Sequence, residues 1–325
     1  MALDKYQSMR DFQKTEEPSG TADPAMSDFE RKGTPRFVVQ EHHATALHWD
    51  FRLEKDGVLV SWAQPRGLPP DPRVNHLAVH TEDHPLSYID FEGGIPRGEY
   101  GGGKVILWDQ GTYKEEKFSD REVMVVLEGE RAKGRHVLFR TDAKNWMIHR
   151  MDPAEDPTRE LIPSDVRPLE PRTVEALPTD GAWRFAVAWR GTRTAVVVDG
   201  GRCIAHDVAG ADVTKKWPEL GLFGRAVGAL PIVFTGVLVR PKPKVAATFF
   251  LEDVVWLDGH GTDPLPFSAR RSLLEDLDLD GDTWKTSPLY DDGGVLLDAA
   301  SAQNLPGVLA FRWDAPLEAP LAVPS

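Results

Sequence analysis

Between Gln40 and Arg52 the chain reads QEHHATALHWDFR, which gathers three histidines, an aspartate and an arginine into thirteen residues. Strand alternation in LHWDFRLE sends Leu47, Trp49, Phe51 and Leu53 to one face and His48, Asp50, Arg52 and Glu54 to the other. The first face can line a core, and the second carries an imidazole, a carboxylate and a guanidinium in a row. His42 sits just before, in HHATA, where the chain can fold back toward the same face; His43 reads as its neighbour on the turn. Two imidazoles and a carboxylate form a mixed N/O donor set that suits manganese, iron or zinc, with positions left open for water and substrate. A divalent ion there would act as a Lewis acid on a phosphoryl oxygen or acidify a bound water. The competing reading is a solvated sheet face with incidental histidines, and the spacing H-x5-H-x-D on one face weighs against it.

A second cluster follows in HLAVHTEDHPLSY. As a regular strand it gives His76, His80, Glu82 and His84 one parity, with Tyr88 shortly after. Arg52, His84 and Tyr88 together could hold an anionic group, the arginine by paired donation. The two clusters predict one metal-plus-oxyanion site inside or across a barrel, the layout of a phosphoesterase. The run GGIPRGEYGGGKV matches G-x4-G-K from Gly98 to Lys104. It lacks the hydroxyl residue at Val105 and runs into the strand-like VILWDQGTY where a phosphate loop needs a helix. Its glycines instead indicate a tight β connection where backbone passes close to the site.

The elements that must position these groups are legible from the spacing of apolar and breaker residues. Residues 1–35 are polar and broken by Pro18, Gly20, Pro24, Gly33 and Pro35, so they read as an irregular arm. Residues 36–151 alternate in short runs such as VLVSWAQ, HLAVHTE, VMVVLEG, HVLFRT and WMIHR, predicting an all-β antiparallel barrel. Residues 152–181 hold six prolines among acidic residues and read as an extended linker. Residues 182–325 mix strand-like TAVVVDG and PIVFTGVLV with helix-like VTKKWPELGLFGRAVGAL and ARRSLLEDLDL, predicting an α+β domain.

The chain has 325 residues, enough for two cores, and a net charge of −13. That charge argues against sequence-blind DNA binding through phosphate neutralisation. Residues 1–151 carry 21 Lys and Arg against 25 Asp and Glu, so the acidity is concentrated in the second half and the first is the better place for a polyanion. The single cysteine, Cys203, excludes an internal disulfide and a thiolate zinc cluster. No long apolar run and no leader pattern is present, so the expectation is a cytoplasmic protein with no membrane partner.

Taken together, FVVQEHHATALHWDFRLEKDGVLVSWA, LAVHTEDHPLSYIDFEGGIPRGEYGGGKVILWDQGTY and NWMIHR closely resemble the 3′-phosphoesterase module of bacterial DNA ligase D, from the arm motif RDFQKTEEPSG through about Arg150. The resemblance implies a compact β-barrel. It also implies manganese-dependent removal of a 3′-terminal ribonucleoside and hydrolysis of a 3′-phosphate, in double-strand-break repair. Manganese, or another divalent transition metal, would be held by His42, His48 and Asp50. Arg52 would support the site, His84 and Tyr88 would meet the scissile phosphate, and Glu82, Arg10, Asp11 and Glu17 occupy further positions that the family uses. Arg66 stands where the family usually has lysine. His76 stands where a second phosphate-binding arginine is expected, and an imidazole cannot donate a fork. The implied partners are DNA primer-template junctions or broken 3′ ends, an end-joining ligase and the Ku end-binding protein.

The second half resembles the adenylation domain of ATP-dependent DNA ligases through WRFAVAWRGTRT, VTKKWPEL, PIVFTGVLV and FFLEDVVWLDG. Ala188 stands at the position of the nucleophilic lysine and Arg190 at that of the aspartate two residues on, while Thr235 and Val237 replace two acids. Without an amine nucleophile no lysyl-adenylate forms, so the expectation is a degenerate pseudo-ligase domain that does not use ATP. The alternative for the whole chain is a non-catalytic DNA-end-binding or scaffold factor of end joining.

Overall fold

The computed structural model describes residues 3–20 and 33–325, so residues 1, 2 and 21–32 of the expected arm lie outside it. The chain divides into two compact units, Met1–Pro157 and Thr158–Ser325.

In the first unit a short helix, α1 (Asp4–Ser8), opens the arm. Nine strands follow among the described residues: β1 (Arg36–His43), β2 (Leu47–Lys55), β3 (Val58–Gln64), β4 (Asn75–His80), β5 (Gly93–Ile95), β6 (Gly103–Phe118), β7 (Glu122–Glu128), β8 (Lys133–Arg140) and β9 (Asn145–Arg150). They are ordered β1-β2-β3-β4-β9-β8-β7-β6-β5, and the additional β1–β6 pairing closes eight of them into an antiparallel barrel. Closure removes the free sheet edges that a sheet of β-branched strands would otherwise expose.

The barrel interior is filled by alternate residues, among them Phe37, Val39, Trp49, Phe51, Leu53, Trp62, Tyr113, Val125, Leu127, Leu138 and Ile148, all buried. Registers such as Val39↔Phe51 and Phe51↔Trp62 keep these side chains on one side of the wall. The predicted alternation of β2 is therefore correct. Its polar face points to the outer side of the wall, so of the two placements the sequence left open, inside or across a barrel, the first does not hold. That outer face is covered in turn by the arm, by the 3-10 turn Leu86–Asp90 and by β5, which share a small core of Tyr6, Val38, Leu59, Tyr88, Ile89, Phe91, Ile95 and Val105. The arm is thus no loose tail: Tyr6 is fully buried and its hydroxyl donates to the Pro18 carbonyl at 2.6 Å.

The second unit holds two sheets. The larger joins β12 (Thr192–Asp199), β13 (Arg202–Asp207), β14 (Ile232–Val239), β15 (Thr248–Leu257), β16 (His260–Gly261) and β17 (Trp284–Thr286). The smaller joins β10 (Arg172–Thr173), β11 (Trp183–Val187), β18 (Gly307–Arg312) and β19 (Leu321–Pro324). Helices α2 (Leu220–Val227), α3 (Phe267–Asp276) and α4 (Gly293–Ala302) cover them. Leu220 and Phe223 of α2 enter the core of the larger sheet, and Leu296 and Ala300 of α4 that of the smaller. The stretch read as an extended linker divides at Pro157. Beyond it Ile162 and Val166 pack against Val197, Val233 and Trp256, and Arg172–Thr173 pairs with β19. Six prolines gave that stretch a linker composition, but its interspersed apolar residues find a core to cover.

Candidate active site

β1 and β2 bring the first cluster together by register: His42 lies opposite His48 and Gln40 opposite Asp50. A bulge on the β1–β6 side, between Val39 and Gln40, adds a residue where the ladder passes the cluster. One ligand atom from each of His42, His48 and Asp50 lies within 4.8 Å of the others. The away-facing nitrogens of both rings are committed to backbone carbonyls. His42 Nε2 donates to Gly101 O at 2.8 Å, and His48 Nδ1 donates to Ala46 O at 2.9 Å. This leaves the lone pairs of His42 Nδ1 and His48 Nε2 directed at the two oxygens of Asp50, at 3.4 and 3.7 Å. Three electron-rich donors facing one another repel unless a cation or a proton lies between them. Imidazoles oriented by second hydrogen bonds are the arrangement a divalent ion requires. The donor set fits such an ion.

The glycine run supplies the carbonyl that orients His42. Gly103 passes so close to β1 that an added Cβ would meet the His43 carbonyl oxygen, and one on Gly102 would lie 2.8 Å from Pro96 O. These glycines are there for close approach, as the sequence indicated.

Arg52 connects the metal-type cluster to the second one. Its Nε donates to Gln40 Oε1 at 2.8 Å, its Nη2 pairs with Asp50 Oδ2 at 3.0 Å, and its Nη1 lies 3.0 Å from His84 Nδ1. Burial alone would raise the Asp50 carboxyl. Arg52, with its Nη2 on Asp50 Oδ2, outweighs it and holds Asp50 well below the usual carboxylate range. Arg10 reaches over from the arm. It pairs with Glu17 at 2.8 Å and Glu82 at 3.3 Å, and its Nη2 lies 3.2 Å from His84 Nε2. His84 thus has a guanidinium at each ring nitrogen. Burial first, then Arg52 and Arg10, push its pKa far below 6.5, so the ring is neutral. Tyr88 donates to Glu17 at 3.1 Å and is kept protonated chiefly by burial.

The candidates Arg52, His84, Tyr88, Glu82, Arg10 and Glu17 therefore meet in one network beside His42, His48 and Asp50. Asp11, Arg66 and His76 are placed otherwise. Asp11 pairs with exposed Lys14 at 3.1 Å. Arg66 is exposed in the turn after β3. His76 lies opposite Ile148, on the interior side of β4, and its Nδ1 is 3.0 Å from Gly67 O. Asp50, opposite Ala63, shares a face with the other side of the wall. The expected parity of His76 with Glu82 and His84 fails because β4 ends at His80 and the chain is irregular from there to the isolated bridge of His84 with Leu59.

Three participants escaped sequence reading. Gln40, fully buried, accepts from Arg52 and donates to Tyr88 O and Phe91 O. Tyr6 stacks under Arg10 at 3.9 Å, and Tyr100 donates to Glu82 at 3.4 Å. Gln40 was visible as a polar residue on the face of Asp50; nothing local marked Tyr6.

Residues 40–140 match the family model of the DNA ligase D 3′-phosphoesterase domain. These residues belong to that family. Nearly the whole chain is similar to the multifunctional non-homologous end joining DNA repair protein LigD of Mycobacterium tuberculosis (strain CDC 1551), with 38% identity over 330 residues, 96% of this chain and 43% of that protein. The LigD protein of Mycolicibacterium smegmatis is 34% identical over 345 residues, again 96% of this chain and 43% of the relative. That of Pseudomonas aeruginosa is 42% identical over 181 residues, 53% of this chain and 21% of the relative. The chain thus spans less than half the length of these relatives. The crystal structure of the ligase domain from M. tuberculosis LigD has a TM-score of 0.40 and 23% identity, covering 46% of this chain and 56% of that one, a likeness too low to bear on fold.

Proposed function

We propose that the chain is a metal-dependent 3′-end phosphoesterase of DNA, removing a 3′-terminal ribonucleoside and hydrolysing a 3′-phosphate during end joining. The observation that carries this reading is the convergence of His42 Nδ1, His48 Nε2 and the Asp50 carboxylate, each ring oriented by a backbone carbonyl. A divalent ion held there, manganese by the resemblance, would polarise a phosphoryl oxygen and acidify water. Arg52 keeps Asp50 ionised and, with Arg10, supplies positive charge for the oxygens of a phosphate in the transition state. Neutral His84 adds no charge, its Nδ1 lying 2.9 Å from the Glu82 carbonyl that can accept its one N–H, and Tyr88 would turn its hydroxyl from Glu17 to the phosphate. His48, with 23% of its side chain exposed against 7% for His42 and 8% for Asp50, marks the side from which substrate approaches. The substrate would be a primer-template junction or a broken 3′ end, with an end-joining ligase and Ku as partners in the cytoplasm.

For residues 158–325 we propose a pseudo-ligase domain without ATP use. Ala188 has no amine. The acids Glu252 and Asp253 are engaged by Arg193 and Arg270, the latter at 2.8 Å, around a cavity of about 130 Å³.

One observation favours a second reading, an end-binding scaffold: Arg52, His84 and Tyr88 are each 3% exposed or less beneath the arm. The discriminating experiment uses two 5′-labelled primer-templates, one ending in a single 3′ ribonucleotide and one in a 3′-phosphate. They are incubated with manganese and either the native protein or His48→Ala. Shortening of the first and dephosphorylation of the second, both lost in the variant, is the expected result. Binding of the junction without turnover would replace the enzyme with the scaffold.

A further inference from the structure

Tyr100 differs from its neighbours in the site by its exposure. The side chains of Arg10 and Glu82 are 5% and 4% exposed and His84 and Tyr88 are buried as deeply, whereas Tyr100 is 47% exposed. A tyrosine in a glycine-rich loop is ordinarily a solvated turn residue, but two contacts tie this one to the site. Its hydroxyl donates to Glu82 Oε2 at 3.4 Å, and the Arg10 guanidinium lies 5.3 Å from the ring centroid. Burial and the charge of Glu82 raise its phenol pKa, so the hydroxyl keeps its proton.

The loop that carries the ring is fixed. Glu99 N donates to Pro96 O at 3.2 Å, Gly102 N donates to Glu99 O at 3.0 Å, and Lys14 of the arm pairs with Glu99 at 3.6 Å. Gly101 holds φ +74°, a left-handed conformation, and its carbonyl is the one that accepts from His42. Tyr100 therefore runs from the turn that orients a metal-type ligand to the carboxylate that pairs with Arg10, and it borders both halves of the site. An aromatic ring anchored in this way is a stacking surface formed before any substrate arrives.

We propose that Tyr100 stacks on the base of the 3′-terminal ribonucleoside that is released, and so favours ribonucleoside removal over 3′-phosphate hydrolysis. The inference rests on the phosphoesterase reading. The 3′-terminal base of a primer has one face stacked on its 5′ neighbour and the other bare. A ring that caps the bare face gains stacking without unpairing the base, and every base offers such a face, so the preference is for a base rather than for one base. The scissile phosphate, held between the three donors and Arg52, joins that nucleoside to the primer, so its base lies one ribose beyond the site on the released side. A 3′-phosphate terminus carries no nucleoside on that side and gives the ring nothing to stack on.

The test uses the full chain with manganese and two 5′-labelled primer-templates, one ending in a 3′-adenosine and one in the same ribose with hydrogen in place of the base. Native kcat/KM should favour the base-bearing end by about 5- to 150-fold, the range of one base–aromatic stack. Tyr100→Ala should turn over the two ends alike. Tyr100→Phe, which removes the bond to Glu82 and keeps the ring, should retain the preference, a rescue that a structural role of the hydroxyl would not give. The ratio of affinities for the two ends, read by fluorescence anisotropy in EDTA, should depend on the ring in the same way. A native protein that turns over both ends alike, or a Tyr100→Ala protein that keeps the native preference, overturns the proposal and leaves the phosphoesterase standing. A native protein that turns over neither end nor a 3′-phosphate removes the phosphoesterase reading instead. In that case, or if Tyr100→Ala alone is inactive, the anisotropy ratio decides: a preference for the base that Tyr100→Ala loses supports the stacking role, and its absence from the native protein or persistence in the variant overturns it.

Discussion

Replacing Arg52 by methionine removes the one guanidinium that joins Asp50, Gln40 and His84. The Asp50 side chain is 8% exposed, so its carboxylate would be left buried among the lone pairs of His42 and His48. Breaking a buried ion pair by removing one partner costs about 3–5 kcal/mol, and the abandoned Gln40 Oε1 adds to it. Hydrogen exchange read by mass spectrometry resolves the consequence locally. Peptides from β1, β2 and β3 should exchange about 150- to 5,000-fold faster at neutral pH, the equivalent of that free energy, while peptides from the second unit stay unchanged. The pH dependence has a definite sign. In the native protein the Asp50 pKa is depressed below its ordinary 3.8, so its stabilisation is complete above that value and is lost as pH falls through and below it. In Arg52→Met the same carboxyl has burial working against ionisation, so the deficit should shrink as pH falls toward 5 and Asp50 takes up a proton. Millimolar manganese should likewise stabilise the variant more than the native protein, because a cation between the three donors replaces the lost charge and no longer faces Arg52. A deficit below about 1 kcal/mol, or one indifferent to both pH and manganese, would refute the idea that Asp50 is kept charged for a cation.

Two further expectations concern other parts of the chain. His136 lies in the barrel interior, 1% exposed, with its pKa brought down to about 4 mainly by burial. The unfolded ring takes up a proton below about 6.5 and the folded one does not, so stability should fall by about 3 kcal/mol between pH 6.5 and 4. His136→Phe should reduce the slope of urea-unfolding stability against pH by up to one proton in that window, and an unchanged slope would show that the ring titrates alike in both states. In the second unit, Ala188→Lys should form no covalent adenylate with radiolabelled ATP. Glu252 and Asp253 remain tied to Arg193 and Arg270, so a lysine alone does not rebuild the site, and a labelled band would refute the assignment of these ion pairs.

By itself the sequence determined the local periodicities and the chemistry they carry. Period-two alternation in LHWDFRLE was enough to separate core from site, because a β-strand has only two faces and the apolar one must be buried. The close spacing of His42, His48 and Asp50 survived into three dimensions because an antiparallel turn brings residues six to eight apart into register. Tertiary structure decided which side of the wall is inside. Alternation states that two faces differ but not which one a closed barrel encloses, and the polar face proved to be the outer one, roofed by the arm. Tertiary structure also decided the fate of groups joined across long stretches of chain. Arg10 reaches His84 from 74 residues away, and Tyr6 packs edge-on against the same ring at 4.9 Å. No local pattern encodes such a meeting, since it depends on where the arm is laid down. His76 makes the converse point. Parity with His84 holds only while a strand lasts, and β4 ends four residues too soon.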